Sequence, residues 1–250
     1  AAAVFYNPVD AHIGLAVLSH QLGYFDILPL YVVLMVIAPV IATIHRFAPN
    51  WLLPISFAVY LTALIFQINI PTWPEKGEWF FNPLCWQLVF VLGFIMARER
   101  GPGALVRRHI KVIRLISLPM VIAGALIVWF SLWPDPMRVP GPPLLFAAYK
   151  PYMTPIRLIQ FLALIAVFSA FYPFIERWLP RLVAFLTMLG RNSLNVFCVG
   201  SLLSLAGQIV RFYFEGGIGI DTVMVAVGIA ALGLTAWASE WRDRLAEKKP

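Results

Sequence analysis

The chain has 250 residues, 61% hydrophobic and 12% charged, with a mean hydropathy of +0.82 and a formal charge of +7. A soluble domain carries about twice that charge fraction, so this composition excludes a water-soluble globule and reads as one all-α, polytopic membrane domain over 1–250. The basic residues sit in short segments between apolar runs, the pattern of loops facing an anionic leaflet. The bilayer is the predicted partner, and nucleic acid is not.

A spanning helix needs about 20 mostly apolar residues. In chain order, charge-free windows run over Ile27–Ile44, Trp51–Pro71, Trp79–Ala97, Leu115–Trp133, Leu158–Ile175, Asn192–Val210 and Thr222–Ser239. With no water to bond a bare backbone, each predicts a helix, about seven spans in all. Pro83 interrupts the third window, so its span is predicted to begin near Pro83, with Trp79–Asn82 lying along the interface. Pro29, Pro39, Pro54 and Pro119 fall inside windows and predict kinks. Pro134–Pro155 is Pro-rich and too long for a minimal helix connection; it is a lid or a linker. Trp178–Gly190 is apolar but short, and reads as a re-entrant or interfacial segment. The two cysteines, Cys85 and Cys198, lie in apolar runs and read as small buried hydrophobes.

Lys and Arg distribution sets orientation. One set of segments holds Arg46, then Arg98, Arg100, Arg107, Arg108 and Lys111, then Arg177, Arg181 and Arg191, then a tail at 240–250 with Arg242, Arg244, Lys248 and Lys249. The opposite side holds Lys76, Arg138, Lys150, Arg157 and Arg211. The richer side is expected to be cytoplasmic, with the tail inside and the Pro-rich loop outside. No secretory signal is visible at Ala1. The reading is that the N-terminus was processed or, preferably, that the chain is part of a longer protein.

No Gly-rich phosphate loop, HExxH, CxxC or GxSxG occurs. His12, His20, His45 and His109 have no metal spacing and read as solvated or interfacial groups; no metal site is predicted. The informative residues are polar groups at the span ends. Outside, these are Asp26, Asn82, Gln87, Lys150 and Arg157; inside, Arg191, Asn192 and Ser193 enter the sixth span. A charge at such a position either faces a wet interior or snorkels to headgroups as an anchor. For Lys150 the anchor reading is preferred; for Asp26 it is weaker, because an acid gains nothing from an anionic leaflet. Asp26 and Arg157 can pair if the first, third and fifth helices are neighbours. Trp73–Trp86 contains Trp73, Trp79, Phe80, Phe81 and Trp86, and is either an interfacial aromatic belt or a stacking platform for sugar rings.

Three blocks carry a family resemblance. Phe25-Asp26-Ile27-Leu28-Pro29-Leu30-Tyr31, Trp79-Phe80-Phe81-Asn82-Pro83-Leu84-Cys85-Trp86-Gln87-Leu88, and Gly190-Arg191-Asn192-Ser193-Leu194 followed by Phe197-Cys198 stand in order across most of the chain. Together they resemble the OpgC family of osmoregulated periplasmic glucan modification proteins, and the last block also resembles a motif of the type-three membrane acyltransferase superfamily. The resemblance implies a bacterial inner-membrane O-acyltransferase. It would move an acyl group, succinyl in the OpgC case, from acyl-CoA as co-substrate to a periplasmic glucan or other sugar hydroxyl, with no bound cofactor. Position at the span ends together with the resemblance suggests acceptor binding at Asp26, Trp79, Asn82, Gln87 and Arg157, and donor binding at Arg191, Asn192 and Ser193. The resemblance implies about ten helices with both termini inside, so about three would precede Ala1, an odd number as the charge count requires. The superfamily's Arg, followed about ten residues (roughly three turns) later by a His, belongs to the first of those helices. The catalytic residues are therefore expected upstream of Ala1 and are not reassigned to a histidine here. The competing readings are a sugar or anion transporter or flippase, and a non-catalytic membrane scaffold.

Overall fold

A computed structural model describes residues 8–19, 26–98, 101–132, 140–214 and 217–247. His20, Phe25, Arg100, Arg138, Lys248, Lys249 and the part of the Pro-rich loop with Pro134 and Pro136 lie outside them.

The chain is an all-α membrane bundle. Its helices are α1 (Pro8–Ala16), α2 (Ile27–Phe47), α3 (Pro49–Ile65), α4 (Pro83–Met96), α5 (Pro102–Arg108), α6 (Ile110–Trp129), α7 (Pro155–Trp178), α8 (Pro180–Arg191), α9 (Ser193–Tyr213) and α10 (Ile218–Glu247). Each predicted window overlaps one helix of this set, with ends that differ by several residues. Five of these helices, α2, α6, α7, α9 and α10, are long and apolar enough to cross a membrane. The other two are shorter: α3 has 17 residues and α4 has 14. At about 1.5 Å per residue, α4 rises roughly 21 Å against a hydrocarbon core of about 30 Å.

The ends of these helices have local causes. Pro83 starts α4 as expected, because a proline at the first helical position loses no helix bond. The second window ran to Pro71, but α3 stops at Ile65. Gln67 takes a left-handed conformation (φ +52°), and the Ile68 amide turns back to the Ala63 carbonyl at 3.0 Å, closing a Schellman end. Ser131 ends α6 the same way, with Leu132 N bonded to the Ile127 carbonyl at 2.9 Å. The chain released by α3 forms a small antiparallel hairpin, β1 (Pro71–Thr72) and β2 (Gly77–Glu78), with Pro71 opposite Glu78 and Thr72 opposite Gly77. A Cβ on Gly77 would lie 2.9 Å from the Thr72 hydroxyl and would have to push it aside.

Residues 1–170 and 171–250 form two compact units. In the first, α3 and α4 pack side by side with α2 against both. One core cluster joins Tyr60, Ala63 and Leu64 of α3 to Cys85 and Leu88 of α4, with Tyr152, Met153 and Leu158 closing it from the segment that starts α7. A second cluster, Ile41, Leu52, Val91 and Ile95, lies where α2 meets the same pair. The α6 helix meets α7 where the Gln160 side chain lies over the bare backbone of Gly124. Arg114 adds a polar tie, donating to the Ala166 carbonyl (3.3 Å) and the Ser169 hydroxyl (3.2 Å) of α7.

In the second unit α8 and α9 both pack on α10. Gly233 admits the Phe185 ring so closely that a Cβ there would meet it at 2.9 Å. The segment read as re-entrant or interfacial is the 12-residue α8, roughly 18 Å long and too short to cross. The 240–250 tail is not a loose end as far as Glu247. It continues α10, with Arg244 and Glu240 paired one turn apart at 3.1 Å. Large apolar residues stand exposed along the long helices, Trp129 at 83% and Leu115 at 73% among them. A face of that size suits lipid rather than water.

Candidate functional site

Of the polar span-end residues, Asn82 and Gln87 stand where the connection from α3 runs into α4. Asn82 precedes Pro83 in extended backbone and caps α4, its Oδ1 accepting from the Leu84 amide at 2.9 Å. Its Nδ2 donates to the Ile68 carbonyl at 2.6 Å, and its own amide donates to the Pro151 carbonyl at 3.1 Å. Trp86 Nε1 reaches that same carbonyl at 3.2 Å. Asn82 is 0% exposed and thus joins three chain segments at one buried point.

Gln87 lies one turn further along α4 and locks it to α3. Its Oε1 accepts from the Ser56 hydroxyl at 2.7 Å, and its Nε2 donates to the Ser56 carbonyl at 2.8 Å. A buried amide needs such partners, because leaving a polar group bare in an apolar interior costs about 1–3 kcal/mol. Trp79 is 4% exposed, held by its amide to the Ile70 carbonyl at 2.9 Å. Its Nε1 is buried with no hydrogen-bond partner among the described residues. The structure thus places Trp79, Asn82 and Gln87, the residues expected at an acceptor site, in buried positions. Their side chains are covered by the protein, so they support the neighbouring surface from beneath.

Beside them a second polar group forms, with Tyr149 and Glu78 exposed and Tyr152 buried beneath. Tyr152 donates its hydroxyl to the Gln67 carbonyl (3.0 Å) and to Glu78 Oε2 (3.3 Å), and Asn69 Nδ2 donates to the same oxygen at 3.1 Å. Burial, and then the Glu78 carboxylate, push the Tyr152 phenol up to about 12. Tyr149 stacks on Tyr152 at 6.1 Å between centroids and is 52% exposed. Thr154, fully buried, accepts from the Tyr149 amide at 3.3 Å, and Tyr60 of α3 donates to the Met153 carbonyl at 2.9 Å. The 149–154 segment is therefore pinned to α3 and α4. No local sequence pattern signals this grouping, because Glu78 and Tyr152 are 74 residues apart in the chain.

Asp26 sits ahead of α2 and is half-buried, and burial raises its carboxyl above the ordinary value. Arg157, in the first turn of α7, is half-buried and donates to the Ala148 carbonyl at 3.4 Å. Among the ion pairs of the described residues, none joins Asp26 to Arg157. The ion pairs between described residues, Arg211–Asp221, Arg242–Asp243 and Arg244–Glu240, all lie in the second unit.

In that unit the predicted donor-side residues mark the joint between α8 and α9. Arg191 is the exposed last residue of α8. Asn192 stands between the helices and donates its Nδ2 to the Met188 carbonyl at 3.0 Å, and Ser193 is exposed at the first position of α9. Asn195, unremarked in the sequence, donates to Ser239 of α10 at 3.0 Å and fixes the angle of α9. Among the histidines, His12 and His109 each bond a carbonyl one turn back in the chain, Pro8 and Leu105 respectively. His45 packs edge-on to Phe94 at 5.3 Å with its Nδ1 buried and unbonded among the described residues.

A family model described as OpgC protein matches residues 1–244. The chain belongs to the OpgC family. The match spans all three blocks, so the OpgC resemblance holds over both compact units. OpgC membership points to a membrane acyltransferase-like function. No curated protein and no solved structure matches the chain.

Proposed function

We propose that this chain serves as a membrane O-acyltransferase that moves an acyl group, succinyl as the leading case, from cytoplasmic acyl-CoA to a hydroxyl of a periplasmic glucan or related sugar. The observation that carries the reading is the OpgC family match over 1–244. In this reading a histidine accepts the hydroxyl proton as the oxygen attacks the thioester carbonyl. Hydrogen-bond donors stabilise the resulting oxyanion until the thiolate leaves. No histidine of this chain is assigned that part. Arg191, Asn192 and Ser193 are proposed for the donor, because a planar guanidinium matches CoA phosphates bidentately.

The acceptor is proposed to lie over the outer surface between Asp26, Arg157 and the Tyr149–Tyr152–Glu78 group. Tyr149 offers an exposed ring face, Glu78 a carboxylate and Asn69 a carboxamide, the groups that stack on and hydrogen-bond a sugar. Trp79, Asn82 and Gln87 act from beneath as positioning residues.

The test uses the full-length protein in sealed vesicles with succinyl-CoA labelled in its acyl group outside and glucan inside. Label attached covalently to the glucan supports the transferase. Glucan or succinate crossing the vesicle wall with no covalent label would sink it in favour of a transporter. Neither outcome would leave a scaffold.

A further inference from the structure

The second unit holds a cavity of about 750 Å3 between α9 and α10, lined mainly by apolar and small residues. Gly200, Gly207 and Gly228 line it, so no side chain fills the space at those three positions. Leu232 covers Gly200 at one end, 3.4 Å from where a Cβ would lie, and Met224 comes within 3.9 Å of that point at Gly207. Between them nothing lies within 4 Å of a Cβ placed on Gly228. From Gly200 to Arg211 the groove follows α9 for about 16 Å at roughly 1.5 Å per residue. That is close to half of the ~30 Å hydrocarbon core, the reach of one leaflet's acyl chain.

The mouth carries both charges. Arg211, in the last turn of α9, and Asp221, in the first turn of α10, stand 3.5 Å apart with side chains 65% and 39% exposed. A single long contact between exposed groups leaves most of their hydrogen-bonding capacity unused. The same end bears Phe212, Tyr213 and Phe214, exposed at 90%, 79% and 60%, which mark headgroup depth.

We propose that this groove binds one phospholipid whose headgroup carries a phosphate and a primary ammonium. The acyl chain lies along Gly207 and Gly228, the phosphate takes the Arg211 guanidinium, and the ammonium donates to Asp221. Charge complementarity selects this class. An anionic headgroup without an ammonium meets Asp221 as a like charge, and a quaternary ammonium has no proton to donate to it. The site stands apart from the acyl-transfer reading and does not depend on it.

The full-length protein, purified in detergent with equimolar phosphatidylethanolamine and phosphatidylglycerol, is examined by native mass spectrometry. The wild type should retain one phosphatidylethanolamine in several-fold preference. Gly228→Leu, which fills the groove, should lose it. Arg211→Gln should weaken both lipids, and Asp221→Asn should abolish the preference while keeping phosphate binding. Equal retention of the two lipids by the wild type, or no retention, overturns the proposal. So does an undiminished preference in Asp221→Asn, a surface change that decides the matter even if Gly228→Leu does not fold.

Discussion

Asn82 concentrates several demands in one side chain, so its replacement is informative. Asn82→Ala removes the α4 cap and strips the Ile68 carbonyl of its buried donor. A lost cap costs about 1 kcal/mol and a stranded buried group about 1–3. The expected outcome is a loss on the order of 2 kcal/mol, seen as a lower unfolding temperature in detergent, with Asn82→Asp falling between it and the wild type. A variant as stable as the wild type would show that the α3–α4 connection is held elsewhere. Tyr152 gives a pH-dependent counterpart. Its phenol is raised to about 12 in the folded protein against about 10 when unfolded. The folded state thus holds the proton more tightly, so the contribution is complete below pH ~10 and lost as pH rises through ~12. Stability of the wild type should fall more steeply over that window than stability of Tyr152→Phe. Parallel curves would remove Tyr152 as the source.

At the scale of the element, the α8–α9 joint and the α3–α4 hairpin make different demands. The joint exposes Arg191 while Asn192 ties α8 to its own last turn. If Arg191 holds a CoA phosphate, Arg191→Ala in the full-length protein should raise the apparent KM for succinyl-CoA about tenfold, since a charge-assisted hydrogen bond is worth about 1.5–3 kcal/mol. It should leave kcat and membrane insertion little changed. Unchanged kinetics at normal expression would make Arg191 an anchor. On the hairpin side the reading predicts an acceptor effect. Tyr149→Ala should raise the apparent KM for glucan several-fold without moving the unfolding temperature, because the ring is half exposed and already stands outside the core. A drop in stability with an unaltered acceptor KM would make Tyr149 a structural ring.

At the scale of the whole molecule, orientation rests on charge placement along the chain. Glu75 and Arg108 are both exposed, so single cysteines there report their side directly. With Cys198 replaced by serine and Cys85 fully buried, Glu75→Cys should react with a membrane-impermeant maleimide in intact cells. Arg108→Cys should react only after permeabilisation. The reverse pattern would invert the topology and exchange the proposed donor and acceptor sides.

The apolar windows by themselves determined the fold class and the approximate position of the long described helices, because in lipid a single apolar run of about 20 residues bonds its whole backbone only as a helix. Pro83 also told where α4 begins, since a proline's missing donor is tolerated at that position. The three residue blocks pointed to the family that the match over 1–244 shows. Which side chains remain free for a ligand was decided by tertiary structure. Asn82 and Gln87 look in sequence like any polar residue at a span end. Only the approach of Ile68, Pro151 and Ser56, each distant along the chain or on a neighbouring helix, reveals that their amides are already bonded. The same applies to Tyr149, Tyr152 and Glu78, which no local pattern links. Their grouping depends on a left-handed Gln67 ending α3 early enough for the released chain to fold back as a hairpin.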